Sequence, residues 1–147
     1  MIEECKVNYE DRTEWRNLEG LLHRVDGPAV ESSDGSKEWY VNGERHRVDG
    51  PAVVRSNGSK EWWVNGQLHR VDGPAVVRSN GYKAWWVNGQ QHRVDGPAVE
   101  RSDGTKEWWI EDKQLTEEEF NRKDNPVKEL TVEEISNLLG YEVKVVK

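Results

Sequence analysis

Four histidines, His23, His46, His69 and His92, each stand three residues before an aspartate, at Asp26, Asp49, Asp72 and Asp95. Imidazole and carboxylate at H-x-x-D spacing suggest metal ligation. If successive copies lie two strands apart, equivalent atoms are separated by about 9.6 Å at roughly 4.8 Å per strand. A zinc ion holds its ligands about 2 Å away, so each copy offers an incomplete site and no metal is expected. Each histidine should instead pack locally, with His46 opposite Trp39 and His69 opposite Trp62. The carboxylates Glu31 and Glu38 suggest glycosidase chemistry, but they fall across one hairpin tip with no cleft implied. Tryptophans beside arginines and lysines could stack bases and pair phosphates. Catalysis needs a unique constellation, whereas these residue types recur in every copy. No nucleophile elbow, phosphate loop or zinc spacing is present, so neither an enzyme nor a cofactor is expected.

The elements that must position these residues follow from a repeat. His-Arg-Val-Asp-Gly-Pro-Ala begins at His23, His46, His69 and His92, a period of 23 residues. A fixed period of this length marks an array whose units bury apolar groups by stacking on their neighbours. Two series of turn steps divide each unit. Asp34-Gly35, Asn57-Gly58, Asn80-Gly81 and Asp103-Gly104 form one, and Asn42-Gly43, Asn65-Gly66 and Asn88-Gly89 the other. Both suit two-residue type I′ hairpins, which need positive φ. Between them run β-rich segments such as "PAVVRS" and "SKEWWV". The prolines at 28, 51, 74 and 97 interrupt a ladder, because they donate no hydrogen bond to it. The fold expected is mainly β: an elongated antiparallel β-hairpin array with a small C-terminal α/β cap.

Three segments follow. Residues 1–22 read as a degenerate half-repeat, with Trp15 eight residues before His23 where Trp39 is seven before His46. Residues 23–110 hold four repeats. Residues 111–147 form the cap: the pattern fails at "IEDKQL", Thr116 and Glu119 make a capping box for a short helix, and a β-α-β piece ends the chain. In that piece Thr131 is the N-cap, Glu134 its box partner and Leu130 with Ile135 a hydrophobic staple. Ile135, Leu138 and Leu139 make its apolar stripe, Gly140 ends its helix, and Tyr141–Lys147 is its last strand. It could cap the array or bind a partner separately.

The stretches Trp39–Ala52, Trp62–Ala75 and Trp85–Ala98 follow W-x-x-N-G-x-x-H-R-x-D-G-P-A. The pattern resembles MORN-type repeats, in the variant found in bacteria and bacteriophages, over about residues 13–110. The resemblance implies a fold of β-hairpins and no particular activity. It also implies a phage-type origin, and small acidic phage proteins often bind and block a host protein. The lipid-binding role proposed for some eukaryotic members does not carry over, because their Tyr-x-Gly-rich consensus is absent.

With two-residue tips, Arg55 faces Lys60, Val54 faces Glu61 and Val53 faces Trp62, and alternation sorts side chains onto two faces. One face then carries Trp39, Trp62, Trp85 and Trp108 with Lys37, Arg55, Lys60, Arg78, Lys83, Arg101 and Lys106. The other carries Tyr40, Trp63, Trp86 and Trp109 with Glu31, Glu38, Glu61, Glu100 and Glu107. An odd-length tip loop would destroy this parity. The middle units place Val54 and Val77 where the outer units have Glu31 and Glu100, and the third has Tyr82 and Ala84 where the second has Ser59 and Glu61. Val54, Val77 and Ala84, with Tyr82, Trp63 and Trp86, therefore make the candidate protein-binding patch, an apolar centre with a charged rim. Arg55, Lys60, Trp62, Arg78, Lys83, Trp85, Arg101 and Lys106 make the alternative ligand face.

Composition agrees with a thin array. Apolar residues are 34% and charged residues 33% of 147, which favours disorder, but eight tryptophans oppose it by supplying burial. The net charge of −7 divides as −3 over residues 1–22, 0 over 23–110 and −4 over 111–147. The neutral array disfavours binding to anionic membranes. Cys5 stands alone, so no internal disulfide exists. No apolar run spans a bilayer and "MIEECKVNYEDR" is too acidic for a signal peptide, so the cytoplasm, a host's if phage-encoded, is the expected location. The function expected is a non-enzymatic protein-interaction module that inhibits a host defence protein. Two alternatives stand beside it: a nucleotide or nucleic-acid binder, and a carbohydrate or cell-wall module. Exposed sheet edges could also pair two copies into a homodimer.

Overall fold

A computed structural model of the chain describes residues 4–124, in one unit that ends at Thr116 and a second that begins at Glu117. The expected β-α-β piece from Val127 to Lys147 lies outside the described residues.

The first unit is built on an antiparallel sheet of eleven strands whose spatial order follows chain order. Strand β1 (Cys5–Asn8) forms one edge and β2 (Arg12–Arg16) pairs with it. Each repeat then adds two strands: Val30–Ser32 with Lys37–Glu38, Val53–Val54 with Lys60–Glu61, Val76–Val77 with Lys83–Ala84, and Val99–Glu100 with Lys106–Ile110. The last strand, Lys113–Leu115, closes the order. The meander expected from the 23-residue period is present.

Each of the first three repeats also carries a short hairpin outside the main sheet. Tyr40–Val41 pairs with Glu44–Arg45, Trp63–Val64 with Gln67–Leu68, and Trp86–Val87 with Gln90–Gln91. The hinge between sheet and hairpin is the first tryptophan of the pair. Trp62 donates its backbone N–H to Ala75 (2.8 Å) and accepts from His69 (3.1 Å), both at the start of the next repeat. His69 therefore does lie opposite Trp62, and His46 lies opposite Trp39 in the same way. Trp15 bonds to Ala29 and His23 with the same pattern, so the N-terminal segment completes a repeat. Its extra residue sits in the Asn17–Leu21 turn, where Gly20 takes positive φ.

The two turn series differ. Asn42-Gly43, Asn65-Gly66 and Asn88-Gly89 have positive φ at both residues, as type I′ turns require. In the tip series only glycine has positive φ. There Arg55 N–H bonds to Ser59 carbonyl and Gly58 N–H to Arg55 carbonyl, which encloses three residues in a type I turn followed by a left-handed glycine. The tip loops are therefore odd in length, and the two-residue tips expected for this series are not formed.

Burial is thin and two-sided. Ala29, Ala52, Ala75 and Ala98 are fully buried, and the adjacent Val30, Val53, Val76 and Val99 are buried on the opposite face. Each repeat thus contributes two small core side chains, and stability must come from contacts between neighbours. The pattern does not fail at "IEDKQL". Glu111 and Asp112 adopt left-handed φ of 50° and 61°, and Ile110 pairs with Lys113, so a fourth turn forms without Asn-Gly. The array reaches Leu115 rather than ending at residue 110. In the second unit an α-helix, Glu117–Asp124, starts directly after Thr116, as the capping box predicts, with three glutamates in its first turn.

Candidate functional site

The odd tip loops turn one strand of every hairpin over relative to the expected parity. Val53 pairs with Glu61 and Val54 with Lys60, not Val54 with Glu61. The strand after each tip keeps its predicted neighbours, while the strand before it exchanges faces. The proposed patch is therefore split: Trp63, Tyr82, Ala84 and Trp86 lie on one face, and Val54 and Val77 on the other. The alternative ligand face splits too. Lys60, Trp62, Lys83, Trp85 and Lys106 share a face, and Arg55, Arg78 and Arg101 lie opposite.

One side is a glutamate face. Cross-strand pairing puts Glu14, Val30, Glu38, Val53, Glu61, Val76, Ala84, Val99 and Glu107 in a single row. Charged groups packed between valines must be fully hydrogen-bonded, and each carboxylate is. Glu61, 6% exposed, accepts from Trp63 Nε1 (3.0 Å) and pairs with Arg78 (3.1 Å). Glu38 accepts from Tyr40 Oη (2.8 Å) and Arg45 (2.9 Å), and Glu14 from Arg12 and Arg16. Glu107 bonds to Arg101 and Trp109 Nε1. The Arg101 bond, opposed by burial and helped by Trp109, holds the Glu107 carboxyl below the usual range. Burial pushes the Glu14 carboxyl upward, but Arg12 and Arg16 together outweigh it and leave it lowered. Row and partners form an internal ion-pair network, and Glu31, expected opposite Glu38 across the tip, instead pairs with Lys37 on the other face.

The other side is a lysine face. Its row reads Glu31, Lys37, Val54, Lys60, Val77, Lys83, Glu100 and Lys106. Beside it stand the hinge tryptophans, each covered by an arginine of the repeat motif. Arg24 lies 4.0 Å from the Trp15 ring centroid, Arg47 4.1 Å from Trp39, Arg70 4.0 Å from Trp62 and Arg93 3.9 Å from Trp85. Each guanidinium also organises its own loop. Arg70 Nε bonds to Asp72 at 2.7 Å and Nη1 to the carbonyl of Pro74 at 3.3 Å. The glycine between them leaves room for this side chain: a Cβ on Gly73 would sit 3.0 Å from Arg70 Cζ, so the guanidinium would have to shift by a few tenths of an ångström. Hydrogen bonding to Arg70, then its charge, holds the Asp72 carboxyl below its ordinary value, and Asp49 and Asp95 behave alike.

Each histidine ties the preceding hinge tryptophan, through its backbone N–H, to the later turn of its own repeat, through its ring. Their Nδ1 atoms accept backbone N–H bonds from the next turn: Asn42 to His23 (3.0 Å), Asn88 to His69 (3.1 Å) and Glu111 to His92 (3.3 Å). His46 takes Asn65 N–H at 3.1 Å and also touches its Oδ1 at 2.9 Å. Among the described residues no cluster of histidine, cysteine or carboxylate side chains could hold a metal.

Sequence reasoning missed the loop arginines and the valines that follow them. Val25, Val48, Val71 and Val94 are 74%, 80%, 81% and 59% exposed. They rim three like grooves of ≈ 670, ≈ 690 and ≈ 720 Å³, each walled by two successive motif loops and a hinge tryptophan. The signal was available, because Arg-Val recurs in all four heptads, but periodicity alone assigns those valines to buried strands.

No helix among the described residues is long and apolar enough to cross a membrane. No family model matches this chain, and no curated protein or solved structure matches it either.

Proposed function

We propose that the chain is a non-enzymatic protein-interaction module that binds its partner along the motif loops. The observation that carries this is the line of four solvent-exposed valines above three equivalent grooves. Large apolar side chains repeated at one exposed position cost solubility and mark contact surfaces. The loops beneath them are held by ion pairs, cation–π contacts and backbone bonds, so a partner meets a preorganised surface. The phage resemblance gives the reading its fuller form: a protein that binds and blocks a host defence protein in the host cytoplasm. The test is a Val48→Asp/Val71→Asp double variant with an unchanged circular dichroism spectrum. It should lose the partner that the parent chain captures from bacterial lysate, and equal capture would remove the proposal.

A nucleic-acid reading keeps one favourable observation, the shared face of Lys60, Trp62, Lys83, Trp85 and Lys106. Against it, Arg70 and Arg93 already cover the Trp62 and Trp85 rings on which bases would stack. The same cover weighs against sugar rings stacking there. A steep fall of binding with salt would favour the nucleic-acid reading.

A further inference from the structure

Every ion pair of the array uses arginine, and none of Lys37, Lys60, Lys83 and Lys106 makes an ion pair or side-chain hydrogen bond among the described residues. All four are exposed. Three of them alternate with half-buried valines in one cross-strand row, Lys37–Val54–Lys60–Val77–Lys83, bounded by Glu31 and Glu100. The bounding acids are engaged by Arg24 (3.8 Å) and Arg93 (3.2 Å). In the middle repeats valine replaces that second acid, so the stripe has surplus positive charge and apolar ground between the charges.

Neighbouring positions in the row are about 4.8 Å apart, so lysine follows lysine at about 9.6 Å. One face of an α-helix repeats at nearly this spacing. At 1.5 Å per residue, i to i+7 is about 10.5 Å and the intervening i+3/i+4 positions fall halfway. A helix laid along the row with acids at i, i+7 and i+14, and apolar residues between, meets lysine with carboxylate and valine with apolar side chain. Mismatch accumulates to about 2 Å over the stripe, within the reach of a flexible lysine stem.

We propose that this row is a docking stripe for an acidic amphipathic helix of a protein partner, with the acid–apolar alternation set in heptads. The inference rests on the protein-interaction reading and names the chemistry of the partner. A phosphate backbone offers no apolar group at alternate positions and leaves Val54 and Val77 unmatched. The opposite-face arginines are weaker candidates. Their cavity of ≈ 720 Å³ contains Asp103 as well as Arg55, Arg78 and Arg101, and two of these already pair with Glu61 and Glu107.

The probe is a fluorescent, side-chain-stapled helical peptide of about 18 residues with that heptad pattern, titrated against the full chain by anisotropy. It should bind at least tenfold tighter than a stapled peptide of the same composition with its apolar residues moved out of phase. Lys60→Glu and Val77→Glu should each weaken it at least tenfold, while Val48→Asp/Val71→Asp leaves it unchanged. Equal binding of the out-of-phase peptide, or Lys60→Glu without effect in a folded chain, would overturn the proposal. Equal displacement by a single-stranded DNA oligonucleotide of the same charge would overturn it too, making the stripe a general polyanion surface. If partner capture still fails in Val48→Asp/Val71→Asp while the peptide does not bind, the interaction reading stands and only the helix proposal falls.

Discussion

The second and third repeats differ little in sequence, yet they solve the same burial problem with unequal success. In the second, Ser59, Glu61 and Trp63 line the glutamate face. Ser59 Oγ accepts the Ser79 N–H of the next tip (3.1 Å), and Glu61 accepts the Trp63 indole N–H. In the third, Tyr82, Ala84 and Trp86 occupy those places. Among the described residues Trp86 Nε1 is buried with no hydrogen-bond partner, and Tyr82 replaces the Ser59 hydroxyl that staples the next tip. What forms instead is the apolar cluster of Val76, Ala84 and Val99, against which Leu68, Tyr82, Trp86 and Trp109 pack. In an array whose units own few core residues, one carboxylate decides whether an indole is satisfied or stranded.

Breaking the better repeat should have the largest effect. Glu61→Ala strands Trp63 Nε1 and frees Arg78, and should cost about 2 kcal/mol in urea unfolding. A loss near zero would mean that the buried carboxylate's desolvation cancels its bonds. Mending the worse repeat should give about 1 kcal/mol: Ala84→Glu offers Trp86 an acceptor between Val76 and Val99, as Glu61 does between Val53 and Val76. Destabilisation by that variant would show that the third repeat has closed around its alanine.

A similar contrast separates the turns. Asn88-Gly89 holds its left-handed backbone with residues that tolerate it, whereas Glu111 and Asp112 hold the same backbone at a cost. Glu111→Asn, which restores the residue of the equivalent Asn88 position, should therefore stabilise the last turn by roughly 0.5 kcal/mol, read from the same unfolding curves. Acid should have the smallest and most distributed effect. The Asp49, Asp72 and Asp95 carboxyls lie below their ordinary value of 3.8 when folded. Their contribution is complete above that value and disappears as pH falls through the lower folded values. An unfolding midpoint that rises below pH 3.8 would contradict the pairing of these aspartates with Arg47, Arg70 and Arg93.

Much of this architecture was legible before any coordinates. The 23-residue period, the hairpins, the position of the helix after Thr116 and the local role of the histidines all follow from spacing. The faces were not, because Asn-Gly occurs in both turn series and does not count loop residues. The difference lies in the flanks. Small polar residues surround the tips, and Asn57 Oδ1 accepts the Ser59 N–H two residues on (2.9 Å), which favours the three-residue form. The exposed motif valines were illegible for another reason. Apolar residues in a repeat are ordinarily core, whereas these valines are exposed on loops whose preceding arginines stack on the hinge tryptophans.

The glutamate network and the lysine stripe both depend on the tip register. Cross-strand nuclear Overhauser contacts in the second repeat read it directly. Backbone protons of Val54 should lie against Lys60, and those of Val53 against Glu61. Contacts of Val54 with Glu61 instead would return Val54 and Val77 to the glutamate side, and neither the carboxylate network nor the lysine stripe would exist in this form.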